Sequence, residues 1–290
     1  TILASQEYLK RFIRAKGEYY CLLFFCSTGM MLLVSSVELI SIYISLELMA
    51  LPLAALAAFR KNYRSAEAGL KFLILSAVSS AFILYGMAFV YGATGSTWLS
   101  DITANLAASS TVHDVSFGSY ALLISMVFLL AGFGFKLAAV PFHMWVPDVY
   151  EGAPTPITAF LSVASKAAGF AIVLRIFYAI YANLDMDWGL IFAVISVLSM
   201  TVGNIVAIIQ NNIKRMLAYS TIAHVGYLLL GLLSGTPSGY AGSMFYVITY
   251  ALMSMGAFAM VILLGRKDFE ADELDHFKGL SDRSPWFAFM

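Results

Sequence analysis

Eight mostly apolar stretches follow one another along the 290 residues, at 19–37, 40–59, 66–92, 119–144, 156–181, 188–210, 216–233 and 240–265. Each is close to the roughly 20 residues with which a helix crosses a hydrocarbon core of about 30 Å. In lipid every backbone N–H and C=O must be satisfied inside the spanning structure, so such a succession dictates helices. The chain is therefore expected to be an all-α, polytopic membrane protein. Charged residues make up 12% of it and hydrophobic ones 61%, against about 25% charged in soluble domains; one anchor does not produce that balance. The formal net charge is zero, which gives no electrostatic ground for a nucleic-acid partner. Cys21 and Cys26 share one apolar run, and no Cys/His cluster has metal-ligand spacing. Neither a disulfide nor a zinc site is expected.

Basic residues orient the spans. Lys10, Arg11, Arg14 and Lys16 precede the first, and Arg60, Lys61 and Arg64 follow the second. Lys214 and Arg215 follow the sixth; Arg266, Lys267, Lys278 and Arg283 follow the eighth. With eight alternating spans all of these fall on one side, whereas the opposite loops hold Glu38, Asp101, His113, Asp114, Asp185 and Asp187. The positive-inside rule makes the basic side cytoplasmic, with both ends of the chain there. Thr1 is not an initiator and Pro285–Met290 reads as the start of another span, so a fragment of a longer polytopic protein is expected. Residues 1–18 then form a cytoplasmic segment, 19–181 five spans, 188–265 three more, and 266–290 a cytoplasmic loop leading into a further span.

Four cations remain inside apolar stretches, Lys71, Lys136, Lys166 and Arg175, and Glu47 and His224 join them. A charge at the centre of a membrane helix costs at least roughly 2.5–3.5 kcal/mol on insertion scales, so several kept along successive spans read as ion or proton handling. The stretch around Lys136 runs from Ser119 to Pro147 without another charge, too long for one straight crossing. Gly132 and Gly134 precede the lysine and Pro141 follows it, the residue types at which membrane helices unwind. A discontinuous helix interrupted between about Gly132 and Pro141 is the expectation; the alternative is a tilted helix with Lys136 reaching the cytoplasmic face.

Glu47 is mid-span and must face a partner or a wet cavity to stay ionised. Lys71 lies four residues after Glu67, which fits a simple helix ion pair as well as a functional one. Lys166 is central among Ala164, Ser165, Ala167, Ala168 and Gly169, small residues that allow close helix packing or water. His224 is central too, and an imidazole exchanges protons near neutral pH; a packing histidine is the alternative. Arg175 is expected to snorkel to the non-cytoplasmic interface. His143, Asp148 and Glu151 lie in the loop region 141–156 and are expected to cap or position helices. Gly132-Phe133-Gly134 lacks the third glycine and the strand of a dinucleotide fingerprint.

The run Ala138-Ala139-Val140-Pro141-Phe142-His143-Met144-Trp145-Val146-Pro147-Asp148-Val149-Tyr150-Glu151-Gly152-Ala153-Pro154-Thr155-Pro156 resembles the signature of the antiporter-like membrane subunits of respiratory complex I. The stretches around Glu47, Glu67–Ala77 and Lys214–His224 agree with it. Asp148–Pro156 and Ser165–Ala168 are similar to the subunit N branch, called subunit 2 in mitochondria. The resemblance implies two inverted five-helix repeats, the first complete at 19–181 and the second begun at 188–265. It assigns Glu47 and Lys71 as a paired switch, Lys136 as the pumping lysine on the broken helix, and Lys166 with His224 as the connecting relay.

The implied activity is proton translocation within NADH:quinone oxidoreductase; a subunit of a secondary sodium/proton antiporter is the alternative. No cofactor is expected on this chain, with NADH, FMN, iron–sulfur clusters and quinone implied in partner subunits. Other membrane subunits of the complex and the lipid bilayer are the implied partners. The implied location is an energy-transducing membrane, a bacterial plasma membrane or an organellar inner membrane.

Overall fold

The computed structural model describes residues 1–12, 15–109, 117–181, 188–265 and 270–289. Arg14, His113, Asp114, Asp185, Asp187, Arg266 and Lys267, which entered the orientation argument, lie outside the described residues. The chain is helical and has no β-strand among those residues, only two isolated bridges. A short helix α1 (Ile2–Phe12) precedes α2 (Lys16–Ser35), α3 (Leu39–Ala57), α4 (Tyr63–Thr94), α5 (Leu99–Ser109) and α6 (Phe117–Leu137). There follow α7 (Trp145–Gly152), α8 (Thr155–Phe160), a π-helical turn (Leu161–Ser165) and α9 (Lys166–Tyr181). The rest comprises α10 (Trp188–Ile208), α11 (Ile213–Leu233), α12 (Pro237–Leu264), a 3₁₀ turn (Leu274–Phe277), α13 (Leu280–Arg283) and α14 (Pro285–Phe289). Eight helical segments are long and apolar enough to cross a membrane, counting α8 through α9 as one.

Local signals set the helix ends. Asn62 and Asn212 cap α4 and α11, each side-chain carbonyl accepting a backbone N–H three residues on, and Thr236 does the same for α12 ahead of Pro237. Gly95, with φ 72°, closes α4 in the left-handed conformation that glycine adopts without penalty. The tight α2–α3 turn is pinned by an antiparallel bridge between Glu38 and Trp98, and the Glu38 carboxylate accepts from Thr97 and Ser41. A second bridge, Asn212 to Glu273, straps the segment after α12 onto the start of α11.

The discontinuity expected between about Gly132 and Pro141 falls after Leu137, and 138–144 are non-helical. Two further features add to the sequence reading. The long loop 93–118 contains α5. The span 156–181 is not one regular helix, because the π turn interrupts it just before Lys166. Close packing of α4 with α3 and α6, and of α11 with α10 and α7, brings the interior charges together.

Candidate functional site

The end of α6 organises the interior. Backbone beyond Leu137 turns at Ala138, which has φ 68°, and the Val140–Pro141 bond is cis. Ala139 N–H donates to the Gly134 carbonyl, and Val140 N–H donates to Ser199 Oγ. Lys136 therefore sits in the last helical turn, 6% exposed, and its ammonium donates to Ser76 Oγ of α4 at 2.7 Å. Gly132 and Gly134 are not where the helix unwinds. A side chain at Gly132 would press the Ser79 carbonyl at 2.9 Å, and one at Gly134 would meet the Phe142 ring at 2.7 Å. They are contact points that let α6 close on α4 and on the turn.

Glu47 lies in the middle of α3, and its Oε1 is buried without a hydrogen-bond partner among the described residues. The resemblance pairs Glu47 with Lys71; the structure does not. Lys71, with its side chain 41% exposed, is held by Glu67 at 2.7 Å and by Asp148 at 2.8 Å. Asp148 goes on to Arg215 at 2.9 Å, and Arg215 to Glu151 at 2.9 Å. A cavity of about 210 Å³ lined by these charges and Arg64 lies at the basic end of α4 and α11. Burial works to raise the Asp148 carboxyl, but hydrogen bonds from Lys71 and Arg215 outweigh it and hold it below the usual aspartate range. Asp148 and Glu151 thus fasten α7 to α4 and α11.

Lys166 opens α9 and is 2% exposed. Its ammonium has no hydrogen-bond partner among the described residues and lies 5.5 Å from the ring centroids of both Trp145 and Tyr150. On the preceding π turn, Ser162 Oγ is 2.6 Å from the Tyr250 hydroxyl, which donates to Thr221 at 3.0 Å. His224, one turn along α11 from Thr221, stands 4.9 Å from the Tyr250 ring, and its Nδ1 is 2.6 Å from the Tyr246 hydroxyl. Hydroxyls and a ring thus connect the π turn before Lys166 to His224, while Lys136 sits apart on α6 against Ser76. Arg175, partly exposed, donates to the Ser36 carbonyl at the end of α2, 2.8 Å away.

One lysine escapes sequence reasoning. Lys214, grouped by sequence with the loop cations, is fully buried in the first turn of α11. Its ammonium bonds Glu270 at 2.9 Å and the Ala153 carbonyl at 3.2 Å. Glu270 also takes Arg60 at 3.0 Å and the Tyr8 hydroxyl. Burial opposes ionisation of Glu270, yet Lys214, Arg60 and Tyr8 together hold its carboxyl below the ordinary glutamate value. The one hint in sequence, a basic pair abutting an apolar run, does not distinguish this from a solvated loop.

Residues 36–290 match the family model described as NADH:quinone oxidoreductase/Mrp antiporter, TM. The chain belongs to that family. Among relatives of this NADH:quinone oxidoreductase/Mrp antiporter family, NADH-quinone oxidoreductase subunit N of Thioalkalivibrio sulfidiphilus is 48% identical over 289 residues, covering 99% of this chain and 59% of that one. Subunit N of Herminiimonas arsenicoxydans is 47% identical over 303 residues, covering 100% and 60%. The chain thus spans about three fifths of the length of the curated relatives it matches. A chain of respiratory complex I from Thermus thermophilus with bound aureothin superposes with TM-score 0.77 at 37% identity, over 94% of this chain and 57% of that one. One from an archaeal respiratory complex, the membrane-bound sulfane sulfur reductase, does so with 0.80 at 26% identity, over 93% and 53%. The Mrp complex from Dietzia, at 23% identity and TM-score 0.72, over 84% and 43%, shares the fold.

Proposed function

We propose that the chain is the proton-translocating portion of a subunit N–type membrane subunit of NADH:quinone oxidoreductase. In this reading it works as part of a translocase and carries no redox centre; flavin, iron–sulfur clusters and quinone belong to partner subunits. The near-half identity to subunit N proteins favours this over a secondary sodium/proton antiporter. The observation that carries the mechanism is the buried Lys136 ammonium at a helix end, bonded to Ser76.

The chemistry follows from electrostatics. A carboxylate near a buried ammonium favours the protonated lysine, and moving that negative charge away favours release. Lys136 gives up its proton beside the break in the helix after Leu137. Lys166, across the turn, receives it, and the Ser162–Tyr250–Thr221 hydroxyls lead toward His224. Carrying one charge against 100 mV takes about 2.3 kcal/mol, equivalent to roughly 1.7 pK units on a carrier. Glu47, Lys136, Lys166 and His224 are the proposed carriers and modulators. Lys71, bonded to Asp148 at the basic end, acts at the mouth of the path. The spans of 19–181 form one five-helix repeat and those of 188–265 begin a second, inverted one. The protein resides in an energy-transducing membrane among other membrane subunits of the complex.

The test is pumping by the assembled complex in sealed vesicles, with assembly measured separately. Lys136→Ala should abolish most pumping. Lys136→Arg should impair it as well, since a guanidinium effectively never releases its proton. Wild-type pumping by Lys136→Arg would leave a fixed positive charge as that residue's only role.

A further inference from the structure

We propose that Trp145 is a positioning residue that sets how tightly Lys166 holds its proton and ties that setting to the broken end of α6. This rests on Lys166 carrying a proton, as read above. The ammonium of Lys166 is buried without a hydrogen-bond partner among the described residues. What it has instead is two ring faces, those of Trp145 and Tyr150, each 5.5 Å away. A ring face attracts an ammonium within about 6 Å, tryptophan most strongly, and does so more when water is excluded. It offers a neutral amine nothing comparable. The rings therefore act selectively on the loaded state of the carrier.

Trp145 is not free to turn. Its Nε1–H donates to the Phe135 carbonyl at 3.0 Å, and its ring is wedged between Phe72 and Phe135, centroids 5.0 and 5.3 Å away. Phe135 is the residue before Lys136. One indole thus holds, by its edge, the backbone beside the first lysine and, by its face, the ammonium of the second. A shift of the α6 end as Lys136 changes charge moves the Phe135 carbonyl, turns the indole, and alters the hold on Lys166. The elements packed on α9 and on the π turn before it are α2, α5, α6, α8 and α12, whose titratable side chains include Lys136 on α6, Glu18 and Cys26 on α2, Asp101 on α5 and Tyr250 on α12, and Tyr150 faces Lys166 from α7.

The experiment replaces Trp145 in the complete complex with mono-, di- and trifluorinated tryptophan. Fluorine drains the ring face while leaving its shape and its N–H. Pumping in vesicles is followed against pH. The alkaline limb of the profile should move stepwise toward acid, by roughly one pH unit across the series, with the unfolding temperature of the complex unchanged. A limb that stays in place through the series overturns the role of Trp145. Lys166→Ala separates the two ideas: an inactive Lys166→Ala beside an unmoved limb sinks only the indole's role, whereas wild-type pumping by Lys166→Ala removes the carrier and this proposal together.

Discussion

The Lys214 ammonium lies 2.9 Å from Glu270 Oε2 with no exposure to solvent, joining residues 56 positions apart. Removing one partner of a buried pair strands the other and costs about 3–5 kcal/mol. Lys214→Met is expected to lower the unfolding temperature of the complex and its yield. Lys214→Met combined with Glu270→Gln should cost less than the two single changes added together, because they share one interaction. Additive losses would mean the pair does not couple the strap after α12 to α11.

Asp148 offers a pH test. Its folded-state carboxyl is held below the ordinary value of 3.8 by the hydrogen bonds from Lys71 and Arg215 despite the opposing effect of burial. A depressed carboxyl contributes stability that is present above the unfolded value and is lost as pH falls through the folded one. Wild type should therefore exceed Asp148→Asn in stability at neutral pH, and the gap should close below about pH 4. Thermal unfolding across pH 3 to 7 reads this directly; a gap independent of pH would assign the loss to packing.

Gly152 lies where α7 meets α4. A Cβ there would sit 2.6 Å from the Arg64 carbonyl and 2.7 Å from the Ala68 side chain. Gly152→Ala is expected to push α7 outward at a cost of about 1–3 kcal/mol and to loosen the Lys71–Asp148 contact. Pumping should fall further than quinone reduction if the ionic mouth guides protons. Unchanged stability and pumping would count against close packing at this point.

Orientation is open to labelling. In a Cys21→Ser, Cys26→Ser background, a cysteine at exposed Arg64 should react with an impermeant thiol reagent from the cytoplasmic side only, and one at exposed Asp101 from the other side only. Labelling of both from the same face would overturn the alternation of spans.

Hydropathy reveals the spanning helices because burial in lipid is recorded residue by residue, and the break after Lys136 is marked by Pro141. Where the helix stops is not marked: Ala138 takes the left-handed turn, while the two glycines that suggested unwinding serve contact with α4 and Phe142. The π turn Leu161–Ser165 is invisible because Leu-Ser-Val-Ala-Ser suits an α-helix equally well. Glu67 beside Lys71 is visible at four residues' distance, but Asp148, the second partner, comes from 77 residues on. The same holds for Lys136 and its hydrogen-bond partner Ser76, on separate helices. Periodicity encodes which face is apolar; it does not encode which distant charge that face meets.

A π turn carries one residue more than the α-helix around it would use. Deleting a single residue between Leu161 and Ser165 would therefore let the helix run regularly with everything after it nearly in phase, whereas deleting one from the α-helix between Lys166 and Arg175 would turn those two residues about 100° relative to each other. In the second case the Lys166 ammonium could keep the Trp145 and Tyr150 faces only if the Arg175 guanidinium left the Ser36 carbonyl at the far end of the same helix. Two contacts along one helix thus share one angular phase, and the π turn is the place where a change of length would leave that phase intact.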